Sequence, residues 1–309
     1  REAFLGRHGA LEGVPSPRVR GSIALLGLAA REGRPAGSAL LSWWDSPYER
    51  HGATAAWSLF AVFWALMIPH YVLEMRSIVE GLLSVVAVPA TLYVAWLLWT
   101  DRRSFDVLPR AVAVMGFIYL PFEAITFIRS GSIEMVTHHV EFILQSLGYD
   151  PTVITGPDGL RSTFLFFADN GHRLTTRVIL ACTGIGSISI VAGLTLAVDA
   201  APRRQALGIA IAVPIIYGLN VLRVAFIALA HGYQWFANFQ GPIFLVFGIE
   251  DPYLVSYIIA DRVISQSGSV VALVLITLGL LKLIPELATV VEDVLYLVTG
   301  REYDLEMEV

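Results

Sequence analysis

The sequence predicts an all-α polytopic membrane protein, a bundle of about six transmembrane helices with a small extracytoplasmic cap between the third and fourth spans. Of its 309 residues, 56% are hydrophobic and 15% are charged, whereas a soluble domain carries about a quarter charged residues. The mean hydropathy of +0.66 points the same way. Six stretches are apolar over the roughly 20 residues that a membrane-spanning helix needs. They are residues 53–73, 78–100, 107–128, 178–198, 206–230 and 253–284.

The distribution of arginine predicts how these spans are oriented. Arginines precede the first span and lie between the second and third spans and between the fourth and fifth, whereas residues 232–252 contain no arginine or lysine. Basic loops remain on the cytoplasmic side of a membrane. We therefore expect a multi-pass protein of the cell membrane with both termini in the cytoplasm, and residues 129–177 outside.

The chain divides into three parts on this interpretation. Residues 1–52 are predicted to be a disordered or interfacial leader, because their best apolar run, 23–30, is too short to span a membrane. Residues 53–284 form the transmembrane domain, with its outer cap at about 129–177. Residues 285–309 form an acidic cytoplasmic tail, predicted to be a solvated face. The acidic residues of this tail are Glu286, Glu292, Asp293, Glu302, Asp304, Glu306 and Glu308.

The cap is predicted to have structure of its own. Residues 132–147 have the pattern of an amphipathic helix that ends at Gly148. Residues 153–155 and 163–168 are rich in β-branched and aromatic side chains and are separated by turn residues, which favours a hairpin of two short strands.

Three residues in the later spans are candidates for chemistry. Cys182 is the only cysteine of the chain, and Arg223 and Arg262 each lie within an apolar stretch. An arginine in the hydrocarbon layer costs about 3 kcal/mol or more, so it is rarely present without a function. Cys182 lies near the outer end of its span, about 6–8 Å deep, and the predicted orientation puts all three residues at similar depth in the outer half of the membrane.

These residue types indicate nucleophilic chemistry. A thiolate attacks carbonyl groups, and nearby positive charge favours the thiolate. Arginine stays protonated, so it serves to stabilise a thiolate or an oxyanion and does not serve as a base. The proton for a leaving amine has four candidate donors, among which the sequence does not decide: His138, His139, His172 and His231. No cofactor and no metal site are predicted, because the His138-His139 pair lacks the spacing and companions of a metal site.

Other interpretations remain open at this stage. Cys182 could be a small packing residue, and either arginine could lock the bundle by pairing with Glu123 or Asp261. A transporter or anion-binding membrane protein would use the arginines for an anionic ligand. A membrane acyltransferase would use the thiol on lipids. Nucleic acid is not an expected partner, because the chain has no basic run.

The motifs around these residues resemble those of a known family. Ala181-Cys182-Thr183-Gly184, Asn220-Val221-Leu222-Arg223 and Asp261-Arg262, on successive spans, look like the motifs of the exosortase/archaeosortase membrane transpeptidases. An arginine at the third position points to the archaeal branch of that family. The resemblance implies that Cys182 is the nucleophile, that Arg223 stabilises the thiolate or oxyanion, and that Arg262 positions the substrate or assists in the transition state.

The resemblance also implies a substrate class. Members of the archaeal branch act on surface proteins, notably the S-layer glycoprotein, whose C-terminal sorting signal consists of a Pro-Gly-Phe motif, a transmembrane helix and a basic tail. They are linked to the attachment of a membrane lipid at the new C-terminus, so a lipid is the expected acyl acceptor. The acidic tail after Pro285 is a candidate contact for the basic tail of the substrate.

Overall fold

The computed structural model describes residues 49–74, 78–100, 107–168 and 170–301. The predicted leader lies outside this range except for its last few residues. Within the described part, five helices are long and apolar enough to cross a membrane. They are His51–Glu74, Glu80–Trp99, Val107–Ala124, Pro202–Gly232 and Leu254–Leu283. The prediction of a helical, multi-pass membrane fold is confirmed.

The predicted fourth span differs from the structure in its first turns. A 3-10 turn, Leu180–Thr183, precedes a helix, Ile185–Ala197, of only 13 residues. Gly184 lies between them with φ of 78°, a left-handed conformation that an apolar side chain would resist. Hydropathy alone does not detect this break. Six full spans were predicted, but the described part holds five long apolar helices, and only the short helix Ile185–Ala197 lies where the fourth span was predicted.

Four of the helices pack in two pairs. Helix α1, Glu49–Pro69, continues as a π-helical turn, His70–Glu74, and packs on α2, Ile78–Trp99. Helix α3, Val107–Ala124, packs closely on the short helix α5, Ile185–Ala197. A Cβ atom at Gly193 of α5 would lie 2.8 Å from the carbonyl oxygen of Ala111 in α3. The absent side chain is therefore what allows the two backbones to approach.

The cap begins with helix α4, Thr126–Ser146, which covers the predicted amphipathic helix. Three strands follow, β1 Thr152–Thr155, β2 Arg161–Phe167 and β3 Arg173–Arg177, as an antiparallel sheet in the order β1-β2-β3. The predicted hairpin corresponds to β1 and β2. Strand β3 was not predicted, because Leu174 is the one large apolar side chain in its five residues; its burial nevertheless alternates along the strand.

The cap shares one hydrophobic core with the helix that carries Arg223. Phe164 of β2 and Val136 and Val140 of α4 are fully buried and pack with Val221 and Val224, which belong to helix α6, Pro202–Gly232. Because this core is continuous, the cap is held in place over the helices that carry the candidate residues.

An ion pair joins α4 to β2 at the surface of the cap. The two Arg161 Nη atoms donate to the Glu141 carboxylate at 2.7 and 2.9 Å, and these bonds hold the pKa of Glu141 below its ordinary value. A carboxylate with a lowered pKa contributes stability above its unfolded pKa and loses that contribution as the pH falls through the folded value. Since Arg161 is half exposed, the contribution is below about 1 kcal/mol.

The last span is not a uniform α-helix. It consists of α8, Leu254–Ile258, a π-helical segment, Ile259–Ser265, and α9, Gln266–Leu283. Asp261 and Arg262 both lie in the π-helical segment. Segments of π-helix are rare in proteins, and those that occur often lie at functional sites.

Four further short helical elements complete the described chain. A 3-10 turn, Ala237–Phe239, and helix α7, Gln240–Phe247, lie between α6 and α8. After α9, a 3-10 turn, Pro285–Leu287, leads into helix α10, Ala288–Thr299, which contacts α2. Glu286 pairs with Arg204 and Asp293 is buried, so this part of the predicted tail is not simply a solvated face. Glu302, Asp304, Glu306 and Glu308 lie outside the described residues.

Candidate active site

Cys182 lies in the 3-10 turn where the cap sheet leads into α5. Its backbone N–H donates to the carbonyl of Ile179 at 2.8 Å, and the Thr183 hydroxyl donates to the carbonyl of Leu180 at 2.7 Å. The thiol side chain is partly buried. Gly184, the N-cap residue of α5, follows two positions later, so Cys182 is close to the positive end of a helix dipole.

Asn220 fastens this turn to helix α6. Its side-chain amide donates to the backbone carbonyl of Cys182. A Cβ atom at Gly184 would lie 3.2 Å from the Cβ of Asn220, so the two elements are already in close contact. Asn220 lies one helical turn before Arg223, and this contact therefore brings the turn that carries Cys182 beside the first candidate arginine.

The two arginines belong to one cluster of four charged side chains. Nη2 of Arg223 lies 2.8 Å from Oδ1 of Asp261. Nε of Arg262 lies 3.5 Å from Oδ2 of the same carboxylate, and Nη1 of Arg262 lies 3.2 Å from Oε2 of Glu80. Two cations thus face two carboxylates, and the cluster has no net charge. A neutral cluster is far cheaper to bury in a membrane than free arginines.

The acids that pair with the arginines are only partly those considered from the sequence. The suggested pairing of Arg223 or Arg262 with Glu123 is wrong. Glu123 instead lies 3.7 Å from Arg129 and accepts a hydrogen bond from Tyr119. Asp261 was a candidate partner and pairs with both arginines. Glu80 was not among the acids considered as partners, yet it reaches Arg262 across 182 positions of sequence.

Arg223 has a buried donor without a partner. Its Nε atom is buried and has no hydrogen-bond partner among the residues that the structure describes. The Arg223 side chain also lines a cavity of about 260 Å³, together with Ala181, Gly184, Asn220 and Ser269. Buried N–H groups are nearly always paired. An unpaired guanidinium N–H on a side chain that lines a cavity is therefore a candidate donor for a ligand oxygen.

Cys182 and this cluster act on each other electrostatically. The charges that act on the thiol come from Arg223, Asp261 and Arg177. Arg262 is not among the charges that act on the thiol. Its side chain is 12% exposed and lies between Glu80 and Asp261. The structure thus brings Cys182, Arg223 and Arg262 into one region, with Arg223 the nearer arginine.

Tyr257 is a site residue that sequence reasoning missed. Its hydroxyl lies beside the Asp261 carboxylate, within electrostatic range of Cys182, and its ring meets that of His231 edge-on with centroids 5.5 Å apart. The available signal was its position four residues before Asp261, which is the same face of a helix.

The four candidate histidines occupy different places. Nδ1 of His231 lies 3.1 Å from the Thr176 hydroxyl, and its ring contacts Tyr257. His139 bonds to the Tyr217 hydroxyl at 2.7 Å, and its ring lies 6.2 Å from that of His138. The ring of His172 stacks on Tyr253 at 4.1 Å. His231 is the histidine connected to the charge cluster, through Tyr257.

The part of the chain that the structure describes contains no group of three or more histidine, cysteine, aspartate or glutamate side chains placed to hold a metal ion.

Gly184→Ala is expected to impair the site without unfolding the bundle. A non-glycine residue at a φ of 78° costs about 1–2 kcal/mol, and the added methyl group presses on Asn220. We expect accumulation close to that of the parent protein and a reduced rate of Cys182 alkylation by a maleimide or of substrate conversion. Gly131→Ala is the matched control, since a Cβ atom at Gly131 meets no atom within 4 Å and Gly131 does not line the cavity. Equal behaviour of the two variants would contradict a positioning role for Gly184.

Comparison with known proteins identifies the class. Residues 34–251 match the transmembrane exosortase family, and the chain belongs to this family of membrane sorting transpeptidases. It is 50% identical over 274 residues to archaeosortase A of Haloferax volcanii. The aligned region covers 85% of this chain and 90% of that protein. It is 43% identical over 256 residues to archaeosortase A of Natronomonas pharaonis, covering 81% and 80% of the two chains. No solved structure matches the chain.

These comparisons confirm the resemblance seen at the three motifs and its archaeal branch. They also support an enzyme of the protease and transpeptidase class whose substrates are proteins with sorting signals. The individual roles of Cys182, Arg223 and Arg262 stay predictions.

Proposed function

We propose that this chain is an intramembrane cysteine transpeptidase that cleaves the C-terminal sorting signal of surface proteins, with Cys182 as the nucleophile. The observation that carries the proposal is that helix α6 brings Arg223 beside the turn that contains Cys182. Asn220 holds the carbonyl of Cys182, and Arg223, one turn further along α6, has an unpaired and buried Nε–H group.

The first half of the reaction forms an acyl-enzyme. The Cys182 sulfur attacks the scissile carbonyl carbon, and the carbonyl oxygen becomes an oxyanion to which the Nε–H of Arg223 donates. Collapse of this intermediate breaks the C–N bond. The amine leaves with a proton equivalent to the one that the thiol lost, and the substrate remains attached to Cys182 as a thioester.

The second half transfers the acyl group. A nucleophilic group of a membrane lipid attacks the thioester carbonyl, and the oxyanion forms again at the same donor. The C–S bond breaks, the thiol regains a proton, and the substrate leaves with a lipid at its new C-terminus. Arg262 contributes by positioning, since Glu80 and Asp261 hold its guanidinium.

The substrate class follows from the family. Two relatives named archaeosortase A, similar over at least 80% of the compared chains, support a substrate with a Pro-Gly-Phe motif, a transmembrane helix and a basic tail, such as the S-layer glycoprotein. We place the site near the extracytoplasmic face and both termini in the cytoplasm, because arginine is concentrated in alternate loops. Acidic residues after Pro285 lie on the side where the basic tail of such a substrate would be.

The charge cluster disfavours the alternative of a transporter or anion-binding protein. Such a protein would bind its ligand with free cationic side chains, whereas Arg223 pairs with Asp261 and Arg262 pairs with Asp261 and Glu80. An acyltransferase acting on lipids alone would become labelled with an acyl chain at Cys182 in the absence of a peptide substrate.

A substrate-side experiment tests the proposed function. An archaeal strain that lacks its own archaeosortase is complemented with this chain and given a surface protein with the tripartite tail, or the same protein with a scrambled Pro-Gly-Phe motif. We expect the intact signal to be removed, with lipid gained at the new C-terminus, and the scrambled signal to be retained. If this chain accumulates in the membrane and both surface proteins still retain their signals, the proposal is contradicted.

A further inference from the structure

We propose that Asp261 is a positioning residue that holds the Arg223 guanidinium at the wall of the cavity. The inference rests on the proposed function, because it assigns Arg223 the oxyanion. Asp261 itself is not expected to touch the substrate.

Asp261 is the member of the cluster that joins the other side chains. Its Oδ1 is 2.8 Å from Nη2 of Arg223, on helix α6, and its Oδ2 is 3.5 Å from Nε of Arg262. The Tyr257 hydroxyl lies beside the same carboxylate. One carboxylate therefore connects helix α6 to the π-helical segment of the last span.

The second carboxylate makes this attachment rigid. Arg262 is held from its other side by Glu80 of α2 at 3.2 Å, so Asp261 is not a free side chain that Arg223 could carry with it. An arginine side chain has several rotatable bonds and loses about 2 kcal/mol of rotamer entropy when fixed. The Arg223 side chain is still 27% exposed, so it has room to leave the cavity wall if Asp261 no longer holds it.

This arrangement has two opposing consequences for the thiol. Asp261 keeps Arg223 in the orientation needed for the oxyanion, yet its own negative charge opposes formation of the Cys182 thiolate. Removing the charge takes away both a negative charge near the thiol and the attachment of Arg223, so the reactivity of the thiol towards a small reagent should change little while the reaction with a protein substrate slows. A residue that only maintained the fold would change both in the same direction.

The test compares Asp261→Asn, Asp261→Glu and the control Asp199→Asn in the full chain. Asp199 forms a single, largely exposed pair with Arg110 at 3.7 Å. Cys182 is the only cysteine, so alkylation by a maleimide in membranes reports on this thiol alone. We expect Asp261→Asn to slow processing at least about tenfold while leaving the alkylation rate at neutral pH within about threefold of the parent value.

The remaining variants complete the design. Asp261→Glu keeps the charge and is expected to recover part of the processing, with alkylation as in the parent protein. Should Asp261→Asn fail to accumulate, the same comparison is made with Asp261→Glu, whose processing must then fall below that of Asp199→Asn. Unchanged processing in Asp261→Asn, or a parallel loss of processing and alkylation, overturns the proposal. The proposed function fails separately, if Cys182→Ala still processes substrate.

Discussion

Cys182→Ala and Cys182→Ser are each expected to leave the surface-protein precursor unprocessed, a loss of at least about 1000-fold. Alanine removes the nucleophile. Serine replaces it with a hydroxyl that is far harder to ionise, and the arginines beside it cannot act as the base that a serine nucleophile needs. The measurement is the size and lipidation of a surface protein with the tripartite tail, in a strain without its own enzyme.

The control for this experiment is Ser146→Ala, a small change to an exposed residue of helix α4 that does not line the cavity. It should process substrate at nearly the parent rate, and all variants should accumulate equally in the membrane. Normal processing by Cys182→Ala would mean that the cysteine only fills space, and the arginines would then have to be interpreted as an anion site.

Arg223→Lys and Arg223→Ala are expected to reduce processing by about 100-fold or more, the usual effect of removing an oxyanion donor. Lysine keeps the positive charge. However, one ammonium group cannot pair with Asp261 and at the same time present a second donor at a fixed angle, as the planar guanidinium does. The conservative variant should therefore be nearly as slow as the alanine variant.

Arg129→Lys is the matched control, because Arg129 forms a single ion pair with Glu123 at 3.7 Å, outside the charge cluster. It is expected to keep nearly full activity. Recovery of most of the processing rate by Arg223→Lys would show that charge alone suffices at this position, and would contradict the role assigned to the Nε–H group.

The membrane fold could be predicted from composition and from the length of the apolar stretches. Hydropathy also gave the amphipathic helix of the cap and the first two strands. It failed at residues 178–184, which are apolar enough for a span but contain Gly184 at a left-handed φ. It also missed β3, because half of this short strand points away from the core and carries polar side chains.

The three candidate residues could be found because each is exceptional in its setting: one cysteine in the chain, and two arginines in apolar stretches. Their partners could not be found in the same way. Asn220 bonds to a backbone carbonyl, and Glu80 lies far from Arg262 in the sequence. Which acid meets which arginine depends on how distant helices pack, and no local pattern encodes that.

The most direct test of the central claim is to trap the acyl-enzyme. The full chain in detergent is mixed with a peptide that spans the sorting motif, quenched in acid at short times, digested, and analysed by mass spectrometry. We predict that the peptide containing Cys182 gains the mass of the N-terminal part of the substrate. This adduct should be lost on treatment with hydroxylamine and should be absent from Cys182→Ala. Cleavage of the substrate by Cys182→Ala, with no adduct on the parent protein at any time, would contradict cysteine catalysis.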